Sequence, residues 1–434
     1  MVAINKALHK VVGPSPKLTH WIYTGIIRPK ITYAAHIWCG QISNYTLDKK
    51  SRQIQRWALT KLGPIRERTP TAGLEIVTKT TPLHIHMQEV SLKTIHNFHN
   101  INFSIKPAQI GHLNRWIKML DIYIPLARLS SDKGLKIPAP YFHNKVDESY
   151  PIEGATIYTD GSKKDTDCGS GFILTWEDQT RMGLAYNGKF YTVFLSEIRA
   201  IALAVEKILL EKIKCPTVKI YSDCQSAIAA IASSHSNSKT VHHCWSLLQR
   251  LDNICKWSIS WVKAHVGIRG NEAADKLAKQ ATTIKFYGPQ PFLPIAPIYI
   301  KNALSKFSSI NWETYWNGRT DCRQTKLWFP KPNYKESKNI LNLKKDDFGL
   351  IIRWITGHCF LARHEAIINN WDPICPKCFT DDQTPWHLLR ECPATLQIRS
   401  AIPPDQWTTG ILLKAIKKIE FLEVFPELPY SQSP

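Results

Sequence analysis

The middle of the chain predicts an α/β domain, a mixed five-stranded sheet with helices on it, flanked on both sides by mostly helical regions. Three observations carry this. From Ala155 the apolar pattern turns to strand-like alternation, and the order becomes three strands, a helix, a strand, two helices, a strand and a helix. Two of the strands end almost alike, IYTDGS at 157–162 and IYSDCQS at 220–226. Proline-rich stretches bracket the region, with Pro125, Pro138, Pro140 and Pro151 before it and FYGPQPFLPIAP after Thr282. The expected organisation is a helical region over 1–120, a linker over 121–154, the α/β domain over 155–282, and a helical region with a cysteine and histidine cluster over 283–434.

Taken in order, the first strand is ATIYTD, where alternation places Tyr158 and Asp160 on one face. KKDTDCGSG then reads as a hairpin turn, with Asp165 and Asp167 as turn residues. In the helix FLSEIRAIALAVEKILLEK, Glu197 falls on the stripe of Ile201, Ala204 and Ile208 that should face the sheet, and Glu206 falls on the solvent side. An acid on a packing face is costly without a partner. The strand VKIYSD repeats the first register with Tyr221 and Asp223. Side by side and parallel, the two strands would deliver both carboxylates to one carboxyl edge, where open α/β sheets bind ligands. The last helix lies in HVGIRGNEAADKLAKQA, with Asn271 as its expected cap and Asp275 one turn on. Carboxylates gathered in this way repel one another unless a cation sits among them. Hard oxygen ligands suit Mg²⁺ or Mn²⁺, and two such ions about 4 Å apart can activate a water and stabilise a leaving phosphodiester oxygen. The plain alternative is four ordinary turn and cap acids.

The chain has 434 residues and a formal charge of +21, which favours a polyanionic partner. The excess is uneven: residues 1–150 carry 21 Lys and Arg against 8 Asp and Glu, while residues 151–282 carry 16 against 13. No window approaches the length of an apolar membrane span. Eleven thinly spread cysteines and an N-terminus without a signal-like apolar core lead to the expectation of an intracellular protein of nucleus or cytoplasm, with reduced thiols.

TDGS, SEIRAIALA, YSDCQSAI and WVKAHVGIRGNEAADKLAK stand in the order and rough spacing of a ribonuclease H domain, and residues 155–282 resemble that family. The resemblance implies an endonuclease that cuts the RNA strand of RNA–DNA hybrids with two divalent ions. It implies metal ligation by Asp160, Glu197, Asp223 and Asp275. It gives His265, in the loop before the last helix, a part in proton transfer and product release, with Gly267 and Gly270 lending that loop mobility. Gln225 matches a position reaching the hybrid's minor groove, and Gly161 and Ser162 offer backbone contacts. Cys224 stands where a serine is often seen.

The stretch GPSPKLTHWIYTGIIRPKITYAAHIWCGQ resembles the segment closing the reverse transcriptase domain of jockey- and I-like non-LTR retrotransposons. That implies a helical remnant over the first hundred residues. Within it Arg52, Arg56, Lys61, Arg66 and Arg68, with Trp57 among them, form the densest basic group and a candidate hold on a nucleic-acid backbone. FTDDQT at 379–384 reads as a loop, and no polymerase activity is expected. Cys375, Cys378, His387 and Cys392 have a spacing that can close a tetrahedral Zn²⁺ site stapling the C-terminal region, with His358 and Cys359 as lesser candidates. Two further readings stay open: a domesticated fragment that binds nucleic acid without cutting, and a zinc-stapled interaction module.

Overall fold

A central sheet forms where the alternating segments predict it. In this computed structural model, residues 13–38, 45–100, 119, 130–145, 154–289, 293–399 and 407–424 are described. They fall into two units: Leu92–Ser305, and Met1–Ser91 together with Lys306–Pro434.

In the first of these units the strands are β1 Lys133–Pro138, β2 Ala155–Lys164, β3 Asp167–Trp176, β4 Gln179–Gly188, β5 Thr217–Ser222, β6 His235–Ser238 and β7 Lys256–Trp261. The main sheet runs β4–β3–β2–β5–β7. Two tight hairpins join β2, β3 and β4 in antiparallel order, with Asp165 and Glu177 taking the positive φ values (53° and 48°) of their turns. β5 and β7 add in parallel. Tyr158 pairs with Tyr221 and Thr159 with Ser222, so Asp160, still within β2 opposite Gly171 of β3, and Asp223, just past the end of β5, come side by side. The expected mixed five-stranded sheet and its register are both present.

Four helices position the site: α1 Val193–Glu211, α2 Gln225–Ala232, α3 Lys239–Asp252 and α4 Arg269–Ala281. Thr192 caps α1 by accepting from Leu195 N (3.2 Å), and Lys212 ends it in a left-handed conformation. Its apolar stripe of Ile198, Ile201, Val205 and Ile208 is buried with Ile157, Leu174, Ile220 and Trp257 from the sheet and Val241, Trp245 and Leu248 from α3. Eleven such side chains removed from water contribute roughly 1.5–3 kcal/mol each before entropy is set against them. α4 crosses the opposite face, where its small residues Ala274 and Ala278 lie over Gly171 of β3.

The proline-rich stretch before β2 is tied to this unit in its described part, 130–145. β1 pairs antiparallel with β6. The buried Asp132 carboxylate accepts from Thr240 N (2.8 Å) and Thr240 Oγ1 (2.6 Å), and Asp252 accepts from His143 N (2.6 Å), Asn144 N (3.0 Å) and Trp257 Nε1 (2.8 Å). Residues 121–129 and 146–153 of the expected linker lie outside the described residues.

The other unit is helical in its described residues. Leu59, Leu62, Leu74 and Ile76 from its N-terminal segment share one core with Trp316, Phe348, Ile351, Leu388 and Ile416 from its C-terminal segment. Among the described residues no helix is long and apolar enough to cross a membrane.

A candidate metal-binding active site

Asp160 ends the apolar run of β2 and Asp223 follows β5 directly, so the parallel register alone brings these two together. Glu197 comes from the first turns of α1, on the other side of the sheet. Gly161 lets it through. A Cβ there would lie 2.5 Å from the Glu197 backbone nitrogen, a distance at which backbone must move, so only glycine allows α1 to approach β2 this closely. Ser170 and Asn187 fix the approach from below, with Asn187 Nδ2 donating to Ser170 Oγ (2.7 Å) and Ser196 Oγ (2.8 Å) and Ser170 Oγ donating to the Ser196 carbonyl (2.6 Å).

One carboxylate oxygen from each of Asp160, Glu197 and Asp223 lies within 4.8 Å of the others. Burial, then the carboxylates of Asp223 and Asp275, push Asp160 up to about 7. Burial, then Asp160 and Asp223, push Glu197 up to about 9, although the Gly161 N–H bonds to both carboxylates and opposes the rise. Glu197 Oε2 is buried without a hydrogen-bond partner. Three hard oxygen donors, mutually repelling and one of them orphaned, fit a divalent cation.

The other predicted site residues are placed as follows. Asp275, on α4, lies outside the group of three, paired with Lys279 Nζ at 2.7 Å, yet both act electrostatically on Asp160. His265 is exposed in the loop between β7 and α4, with φ 55°. Gln225 is exposed at the start of α2, just after Asp223. Gly161 is buried with its N–H directed to the carboxylates, and Ser162 follows it, half-buried.

Two expectations about the last helix are corrected. It is capped at Ile268, so Asn271 lies within its first turn, and the buried Asn271 amide donates to Asp223 Oδ2 at 3.0 Å. Gly270 is helical and gives the loop no mobility: a Cβ there would meet the Tyr158 ring at 2.2 Å. Gly267, with φ 85° and nothing near it, is the residue that suits the loop turn. Tyr158 and Tyr221 stack beneath the two aspartates, ring centroids 5.0 Å apart. The IYTD and IYSD echo carries that pair in plain view, whereas nothing local marks Asn271 or Asn187 as a support of the site.

The family model described as RNase H matches residues 153–283. The chain contains an RNase H domain. This makes it a phosphodiester hydrolase of the ribonuclease H type, and the three-carboxylate cluster is inside the matched region. Among solved structures the chain is similar to RNase H1 from the halophilic archaeon Halobacterium salinarum NRC-1, at 22% identity and a TM-score of 0.25, over 29% of this chain and 96% of that one.

A second cluster lies in the helical unit. Cys375, Cys378, His387 and Cys392 each bring one donor atom within 4.8 Å of the rest, and His358 and Cys359 are outside the group. Ile374 bridges Asp382 antiparallel, with the turn of this small hairpin at 376–378 and FTDDQT on its returning side. Backbone N–H groups of Lys377 and Cys378 point at the Cys375 sulfur, and those of Thr380 and Asp381 at the Cys378 sulfur. Burial raises the Cys378 thiol, but these bonds, with Thr380 Oγ1 and His387, outweigh it and bring it down to about 6. Sulfurs held by N–H donors beside an imidazole at 3.2 Å form a donor set that fits Zn²⁺.

Proposed function

We propose that the chain is an endonuclease that hydrolyses the RNA strand of RNA–DNA hybrids with two divalent ions, as part of a retrotransposon-derived protein. The observation that carries this is the meeting of Asp160, Glu197 and Asp223 at one sheet edge, with the Glu197 oxygen unpartnered. Bound there, Mg²⁺ or Mn²⁺ supplies Lewis acidity that makes water a better nucleophile and offsets charge on the leaving oxygen.

The chain's own residues do the rest. Asp160, Glu197 and Asp223 hold the ions, and Asn271 keeps the Asp223 carboxylate turned toward them. Asp275, tethered by Lys279, adds a fourth negative charge at the edge of the site. His265, exposed in its loop, can hand a proton to the departing 3′ oxygen, leaving a 3′-hydroxyl and a 5′-phosphate. Gln225, Gly161 and Ser162 border the edge that would face the hybrid's 2′-hydroxyls.

For the flanks, Cys375, Cys378, His387 and Cys392 hold a structural Zn²⁺ in this reading. The retrotransposon context rests on GPSPKLTHWIYTGIIRPKITYAAHIWCGQ. The expected basic hold on nucleic acid is partly engaged within its own unit: Arg56 donates to the Thr69 carbonyl at 2.6 Å and Arg52 lies over the Tyr315 ring, while Arg68 is exposed.

The test is an end-labelled 20-mer hybrid incubated with the full chain and Mg²⁺. RNA-strand fragments ending in 3′-hydroxyl, with the DNA strand intact, are the expected products. A folded protein that binds the hybrid and leaves both strands whole would refute the reading in favour of a non-cutting binding protein.

A further inference from the structure

In the helical unit a cavity of about 520 Å³ opens among residues the catalytic reading does not use. Arginines outnumber acids in its lining. Arg68, Arg323 and Arg363 face it, together with His358 and His364. Its two acids are already neutralised, Asp321 by two hydrogen bonds from Arg319 and Asp382 by Arg363 at 3.3 Å. Arg68 and Arg323 have no carboxylate partner among the described residues, and both are exposed. Gln324, also lining it, has a buried Nε2 with no acceptor.

His358 and His364, rings 5.0 Å apart, are held below the ordinary histidine value by burial first, with Arg66 adding to the effect on both. Leu361, Ile367 and Ile368 give the wall an apolar stretch, beside the polar Thr320, Thr356, Gln383 and Thr384. Between lining residues His358 and Leu361, Phe360 is 76% exposed, with the Arg66 guanidinium 3.7 Å above its ring. Guanidiniums without a carboxylate partner, an apolar stretch of wall and an exposed ring beside it match a phosphate with its attached base, the combination by which single strands are held.

We propose that this cavity binds a single strand of nucleic acid, its phosphates on Arg68 and Arg323 and a base against Leu361, Ile367 and Ile368, next to the exposed Phe360 ring at its rim. A duplex is the poorer fit, because its stacked bases would leave that wall empty and bring only phosphates to the rim. The inference is independent of hybrid cleavage: the cavity belongs to the helical unit, and a strand held there need not be the one cut.

Fluorescence anisotropy of the full chain with a labelled 12-mer single strand, against the same sequence as a blunt duplex, tests it. The Arg68→Glu/Arg323→Glu variant should bind the single strand at least tenfold more weakly, while duplex binding changes little. Two lost phosphate contacts should also flatten the log–log salt dependence by about 1.4. Phe360→Ala, which leaves all charges in place, should weaken single-strand binding several-fold on its own and guards against misfolding of the double variant. Unchanged affinity and salt slope in both variants would overturn the proposal. Equal losses for single strand and duplex would overturn it as well, by making the cavity a general phosphate surface.

Discussion

With no divalent metal present, replacing Glu197 with glutamine should stabilise the protein, and with Mg²⁺ present the same change should abolish its activity. Glu197 is 4% exposed and its carboxyl stands at about 9, against 4.5 for the ordinary group. An acid whose folded value is raised binds its proton more tightly folded than unfolded. Its penalty is therefore absent below the unfolded value, grows as pH rises from about 4.5, and levels off only above about 9. At pH 8 the accumulated rise is about 3.5 units, which at 1.4 kcal/mol per unit is about 5 kcal/mol. Glutamine keeps the shape and an acceptor for the Gly161 N–H but never ionises, so after about 1 kcal/mol for the weaker neutral bond the gain is roughly 4 kcal/mol. For a unit of this size that is on the order of 10 °C in melting temperature. Calorimetry of wild type and Glu197→Gln in EDTA should show that gap at pH 8 and its disappearance at pH 4. Saturating Mg²⁺ should raise the wild type and leave the variant nearly still. A variant no more stable than wild type at pH 8 in EDTA would refute the reasoning, because the cluster would then carry no electrostatic strain for a metal to relieve.

Asn271→Ala, which frees Asp223 to turn away, should lower kcat on a hybrid about tenfold and raise the Mg²⁺ concentration needed for half-maximal rate; an unaltered Mg²⁺ curve would exclude a positioning role. Gly270→Ala drives a methyl into the Tyr158 ring and should cost about 1–3 kcal/mol, read as a lower midpoint in urea unfolding. Cys378→Ser should remove one equivalent of bound zinc by elemental analysis and loosen hydrogen-exchange protection around His387–Glu391, while RNA-strand cleavage persists.

The catalytic half of the molecule was readable because its signals are local. Strand alternation and two aspartates at like offsets from two tyrosines are enough to predict the register, and the stripe of α1 is enough to turn Glu197 inward. The supports were not readable, because they depend on which residues meet across the fold. Asn271 looked like a cap by type, yet its helix begins two residues earlier and its amide reaches 48 residues back to Asp223. Gly270 looked like a loop residue by neighbourhood, yet the Tyr158 ring sets its need for glycine. Residues 130–145 looked like connector because prolines hide their periodicity, while the anchors Asp132 and Asp252 work through partners about a hundred residues away. In the helical unit, periodicity marks the helices but does not say that Leu59 and Leu74 share a core with Phe348 and Ile416.

The central claim is that Asp160, Glu197 and Asp223 form the metal seat of an enzyme that cuts RNA in hybrids. The most direct measurement is the single-turnover rate of RNA-strand cleavage in a labelled hybrid, for wild type and Asp223→Asn, across a Mg²⁺ titration from EDTA to saturation. The account predicts no cleavage in EDTA, a rate rising with Mg²⁺ for the wild type, and a loss of at least a thousandfold, about 4 kcal/mol, for the variant at every concentration. Cleavage that persists in EDTA, or an Asp223→Asn variant that keeps the wild-type rate, would contradict it.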